Sequence, residues 1–79
     1  MTNLEKYNNA FEAIFEISGD ELSGFCREGN EAWTSLAHIS LVGEIEDAFD
    51  IMFETDDILD LNSYEKGIDI LKKYSIAVG

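Results

Sequence analysis

Residues 33–49 read Trp33-Thr34-Ser35-Leu36-Ala37-His38-Ile39-Ser40-Leu41-Val42-Gly43-Glu44-Ile45-Glu46-Asp47-Ala48-Phe49. Within them Leu36, Ile39, Val42, Ile45 and Phe49 recur with the period of an α-helix that buries one face. Ser40, Glu44 and Asp47 fall on another face. The helix is expected to begin at about Ser35. That places its hydroxyl in the first turn, beside free backbone N–H groups and the positive end of the helix dipole. A phosphate ester is well placed there. In a small acidic chain, such a serine reads as an attachment point better than as an active site. Gly43 costs about 1 kcal/mol relative to alanine in an exposed helix interior. Close packing against a neighbouring helix is the expected reason for it.

Upstream, Thr2 and Glu5 have capping-box spacing, so a first helix is expected from Thr2 or Asn3. Leu4, Tyr7, Phe11, Ile14 and Phe15 share one of its faces, and Ser18-Gly19-Asp20 ends it, with Gly19 as the C-terminal cap. Residues 20–32 make a long connection containing Gly24 and Gly29, pinned to the core by Leu22 and Phe25. Trp33 is expected to staple the entering chain against the bundle. Downstream, Asp50 to Phe53 is expected to be a loop with Ile51 and Phe53 turned inward, and Met52 also reads as core. Thr55 is expected to cap a short third helix, where Leu59 and Leu61 close the core. Asn62-Ser63 caps a last helix, with Glu65 at capping-box spacing from Asn62. Its apolar stripe is Tyr64, Ile68, Leu71 and Tyr74, and Lys72 and Lys73 suit its C-terminal end. The tail Ser75 to Gly79 is expected to fray. The fold class is therefore all-α: a single domain over 1–79, forming a small four-helix bundle with three longer helices, a short third helix and a long loop after the first.

Charge narrows the function. The formal net charge is -12, and no Lys or Arg occurs between Arg27 and Lys66. Within that window lie Glu44, Glu46, Asp47, Asp50, Glu54, Asp56, Asp57 and Asp60. This argues against nucleic acid as a partner, since neutralising phosphates needs Lys and Arg, and against an anionic membrane surface. A partner with a basic docking surface is favoured. The single cysteine, Cys26, forbids an internal disulfide and reads as a loop or core thiol. The first residues lack the basic start and apolar run of a signal peptide, and no apolar stretch is long enough to span a bilayer. Cytoplasm is the expected location.

Three catalytic or metal readings fail on chemistry. Ser35 and His38 can share a helix surface, but a serine hydrolase needs an oxyanion hole, an oriented histidine and a pocket. No glycine-flanked nucleophile elbow is present. His38, the only histidine, lacks the Cys or paired acids of a metal site and reads as a partly exposed helix residue. The acidic run from Asp47 to Asp60 lacks the central glycine of a calcium loop and contains Ile51, Met52 and Phe53.

The segment Trp33 to Leu41, followed by Glu44-Ile45-Glu46-Asp47-Ala48-Phe49, resembles the acyl carrier proteins. Their hallmark is Asp-Ser-Leu at the start of the second helix, then an acidic amphipathic stretch ending in Glu-Glu-Phe or similar. Ser35-Leu36 matches the attachment serine and the leucine after it, and length, helix order, first loop and excess acid match over nearly the whole chain. The resemblance implies a carrier and not an enzyme. Ser35 would receive a 4'-phosphopantetheine arm, donated from coenzyme A by a phosphopantetheinyl transferase, and its thiol would hold an acyl or aminoacyl group as a thioester. A loading ligase and downstream transferases or synthases with basic docking surfaces would engage a monomer through Thr34, Leu36, His38, Glu44, Asp47, Asp56 and Asp57. An acyl chain would slip between helices lined by Val42, Ile45, Ile58 and Ile68. Thr34 departs from the pattern: it stands where the family usually has aspartate, and it keeps capping ability without the charge. The tryptophan-led Trp33-Thr34-Ser35-Leu36 looks more like a specialised bacterial carrier than the housekeeping fatty-acid one. The alternative is a helical module of the same fold that stays unmodified and binds a partner's basic surface.

Overall fold

The computed structural model of the chain describes residues 1–78. Four helices account for its regular structure: α1 (Asn3–Phe15), α2 (Ser35–Phe49), the short α3 (Thr55–Asp60) and α4 (Tyr64–Lys73). The described residues thus form the all-α architecture expected, with the long connection after α1 holding a 3-10 turn, Gly19–Glu21. No helix among them is long and apolar enough to cross a membrane.

α1 opens on the expected capping box. Thr2 accepts from the Glu5 N–H, and the Glu5 carboxylate takes the Thr2 N–H. Its other end differs from expectation. Glu16, in the left-handed region at φ 56°, closes the helix, and Gly19 instead starts the 3-10 turn. Tyr7, Ala10 and Phe11 are buried, with Ile14 and Phe15 packed at their edge. Phe11 lies at the centre of an aromatic cluster, with Tyr7, Phe15, Phe25, Trp33 and Tyr64 rings 5.1–6.2 Å from it. The long loop is therefore part of the core, as Leu22 and Phe25 suggested. Its middle is also tied to the start of α4: Arg27 N–H donates to Asn62 O, and Tyr64 N–H donates to Phe25 O, both at 2.8 Å.

The buried stripe of α2 is rotated from the expected one. His38, Leu41, Val42 and Ile45 face inward, whereas Leu36 is 79% and Ile39 67% exposed. The sequence offers apolar residues on both faces, and periodicity alone could not tell which phase α1 and α3 would cover. Met52 (81%) and Leu59 (73%) are likewise outside, not in the core. Phe53 and Leu61 do the packing at those places, and Ile51 is half-buried.

One further cap shifts by a residue: Glu54, not Thr55, is the N-cap of α3, and Thr55 is its first helical residue. Of the expected Asn62-Ser63 pair, Ser63 is the one that caps α4, accepting from the Lys66 N–H. Glu65 is thereby freed from a capping box, and its carboxylate takes the Gly24 N–H of the long loop. The tail does not fray as far as Val78: Ile76 N–H donates to Leu71 O, Asn3 donates to Ala77 O, and Val78 is buried. Gly79 lies outside the described residues.

α3 and α4 are clasped by Asp57, a buried carboxylate that was expected to face a partner. It accepts from the Lys73 ammonium and from the Tyr74 hydroxyl, the latter at 2.5 Å, and Tyr74 Oη accepts from Glu54 N–H. These hydrogen bonds to Lys73 and Tyr74 hold Asp57 below its ordinary value, and the Asp57 carboxylate holds Lys73 above its own. Linkage then sets the pH range of this clasp. Its acid-side contribution is full above the unfolded Asp value of 3.8 and is lost as pH falls from there through the folded value. Its alkaline-side contribution is full below 10.5 and is lost as pH rises through the raised folded value. Urea titrations at stepped pH are expected to show Asp57→Asn lowering mid-range stability and flattening the acid-side fall.

The two helical glycines have opposite roles. A Cβ on Gly43 would meet nothing, so the expected close packing is absent and nothing in the structure explains that glycine. A Cβ on Gly67 would collide with the Tyr7 hydroxyl and lie 3.0 Å from Leu61 Cδ1. Tyr7 donates from that hydroxyl to Tyr64 O at 2.6 Å, so the glycine makes room for a buried bond between α1 and α4. In urea unfolding, Gly43→Ala is expected to stabilise by about 1 kcal/mol. Gly67→Ala is expected to destabilise by about 1–3 kcal/mol, with a smaller loss when Tyr7→Phe is already present.

Candidate functional site

Ser35 is the first residue of α2 and its side chain is exposed. Two neighbours hold it there. Thr34 is the N-cap: its backbone is extended, and its hydroxyl accepts from the Ala37 N–H at 3.1 Å. Trp33 is buried against Phe11, Phe15 and Phe25, so the chain enters the helix from an anchored point. The first turn of α2 contains no acidic residue. Its positive end is therefore not neutralised locally, and an anionic ester on Ser35 would meet favourable potential and unpaired N–H groups.

His38 lies one turn further along and is only 7% exposed. Its Nδ1 accepts from the Trp33 indole N–H at 3.0 Å, and its Nε2 is 2.7 Å from Ile58 O. An indole only donates and a carbonyl only accepts, so the neutral ring carries its proton on Nε2. His38 was expected to be partly exposed and to meet a partner. Instead both its nitrogens are occupied inside the protein, joining the end of the loop, α2 and α3. The sequence did carry a signal for this: a tryptophan five residues before a histidine that falls in phase with Leu41, Val42 and Ile45.

The remaining site residues separate into surface and interior. Thr34, Leu36, Glu44, Asp47 and Asp56 are exposed, whereas Asp57 is committed to its clasp with Lys73 and Tyr74. Leu36 and Ile39 form an adjacent apolar pair on α2 directly after Ser35, with Ser40, Glu44 and Asp47 also exposed on that helix. Ile39 was assigned to the core and is gained by the surface, as are Met52 and Leu59. Val42 and Ile45 are buried in the packed core, and Ile58 and Ile68 pack at its edge. A groove between α1 and the far half of α2 is lined by Met1, Lys6, Asn9, Ala10, Ala13, Glu44 and Ala48, and none of those four residues borders it.

Among the described residues, no group of three or more His, Cys, Asp or Glu side chains is placed to hold a metal ion. Comparisons of the chain with protein-family models, curated proteins and solved structures found no match. The site presents a hydroxyl at a helix start, on a surface that is apolar next to it and acidic beyond.

The cap and the hydroxyl are separable by mutation. Thr34→Ala is expected to cost about 1 kcal/mol of stability by leaving the Ala37 N–H without its side-chain acceptor, and Thr34→Asp to restore it. Ser35→Ala is expected to change stability by no more than about 0.5 kcal/mol, as befits an exposed position. Urea denaturation of the three variants checks all of this.

Proposed function

We propose that this chain is an acyl carrier protein that bears a 4'-phosphopantetheine arm on Ser35. The observation that supports the reading best is the exposed hydroxyl at the first residue of α2, followed at once by exposed Leu36 and Ile39. The arm would end in a thiol that holds an acyl or aminoacyl group as a thioester. The chain's own residues do the rest. Thr34 caps and aims the first turn, the acid-free helix start favours the phosphodiester, and Trp33 keeps the attachment point from drifting.

Docking follows from the same surface. Leu36 and Ile39 supply a small apolar contact, Glu44 and Asp47 supply charge further along the same helix, and Asp56 adds exposed charge on α3. A partner with an apolar notch rimmed by Lys and Arg fits this face. Steering by a net charge of -12 speeds encounter, while the small contact keeps the complex short-lived. A flexible arm on such a body raises the local concentration of its cargo at whichever enzyme is engaged. The partners in this reading are a transferase that installs the arm, a ligase that loads it, and the synthases or transferases that use the cargo.

Purified chain incubated with coenzyme A, magnesium and a broad-specificity phosphopantetheinyl transferase is expected to gain the mass of one arm in intact mass spectrometry. Ser35→Ala is expected to gain nothing. Absence of the gain with several transferases would overturn the carrier reading in favour of an unmodified helical module that binds a basic partner surface.

A further inference from the structure

The route from Ser35 to the interior of the bundle runs along α2 toward Val42 and Ile45, which lie about 10 Å and 15 Å further along the helix axis. On the α3 side that route is crossed by the His38 ring. The ring is held at both ends, by the Trp33 indole N–H at 3.0 Å and by Ile58 O at 2.7 Å. Behind it Leu41 and Ile45 are fully buried and Val42 nearly so, so none of them offers an open mouth to solvent. Swinging the ring aside would strand a buried indole N–H and break a bond between α2 and α3. The Trp33 end is itself fixed by stacking on Phe25 and by contact with Phe11 and Phe15, so the ring's anchor cannot readily follow it.

We propose that the Trp33–His38–Ile58 crosspiece closes the seam between α2 and α3, so that a group carried on Ser35 stays outside the bundle. The cargo class this selects is a short or polar acyl or aminoacyl group, which water tolerates, over a long alkyl chain that needs shelter. The inference about cargo rests on the carrier reading. The closed seam does not, because it is a property of residues 33, 38 and 58. It replaces the expectation that Val42, Ile45, Ile58 and Ile68 receive an acyl chain. His38 acts here as a specificity-determining residue, by position and not by chemistry.

The test attaches the chain directly. In a Cys26→Ser, Ser35→Cys protein, the single thiol is alkylated with N-methylmaleimide or with N-hexadecylmaleimide, and methyl NMR spectra are recorded. The Val42, Ile45 and Ile58 methyl signals and the thermal midpoint are expected to be the same for the two adducts. Hexadecyl-dependent shifts at Val42 and Ile45 in this protein would overturn the proposal. Adding His38→Ala is expected to let the hexadecyl group, but not the methyl group, shift those signals and raise the midpoint. If it does not, the ring is not the barrier and the proposal fails. Trp33→Phe, which removes the donor to Nδ1 and leaves an aromatic ring, takes the same place if His38→Ala does not fold. Nitrogen-15 spectra of the unsubstituted chain are expected to show the His38 proton on Nε2, and a proton on Nδ1 would also overturn the crosspiece. Mass gain from coenzyme A is scored separately. A chain that gains no arm, yet gives identical methyl and hexadecyl adducts, loses the carrier role and keeps the closed seam.

Discussion

One imidazole sets the arrangement of this protein. His38 accepts from Trp33 and bonds Ile58 O, and this requires α2 to turn that residue inward. Once it does, Leu41, Val42 and Ile45 must follow on the same face, and Leu36 and Ile39 must point to water. A buried polar ring with both nitrogens satisfied costs little, whereas a half-satisfied one is expensive. The bond therefore works as a phase marker: it distinguishes one of two apolar stripes that hydrophobicity alone would rank as near equals. The apolar skin beside Ser35 is the complement of that choice.

The rest of the fold cooperates through the long loop. Trp33 reaches His38 only because Phe11, Phe15 and Phe25 fix its ring. Phe25 in turn is placed by the backbone bonds that join Phe25 and Arg27 to the head of α4. A connection of this length would ordinarily carry a large entropic cost. Here Leu22, Phe25 and Trp33 contribute packing enough to make it a wall of the core. At the other side of the molecule, Asp57 fastens α3 to α4 through Lys73 and Tyr74. α3 is therefore held both by a side chain and by a backbone carbonyl, although it has only six residues.

Much of this was legible in the residues, for identifiable reasons. Helix existence and order followed from periodicity and caps, and the Thr2–Glu5 box and the start of α2 at Ser35 stand where the pattern put them. What escaped was information that lives in tertiary contacts. Counting His38 as polar hid the true stripe, because its burial depends on contacts beyond its own helix: a carbonyl on α3, twenty residues away, and a nearby indole fixed by Phe11, Phe15 and Phe25. Asp57 looked like one more surface acid, since nothing local distinguishes it from Asp56. Its burial depends on Lys73 and Tyr74, sixteen and seventeen residues away. Gly43 and Gly67 look alike in a helix, and it is the Tyr7 and Leu61 side chains packed over Gly67 that separate them. The exposed serine, by contrast, needed no long-range knowledge: a cap residue followed by a helical period is a local statement.

The bare Leu36 and Ile39 side chains have a colloidal consequence. Two molecules meeting through these greasy spots would gain from doing so, and what holds them apart is mutual repulsion between bodies of charge -12. That repulsion reaches only about 8 Å at physiological ionic strength and shrinks to about 3 Å in molar salt. The carboxylates thus work against the pairing of two copies through that spot. Concentrated salt is therefore the condition that weakens this guard against self-association.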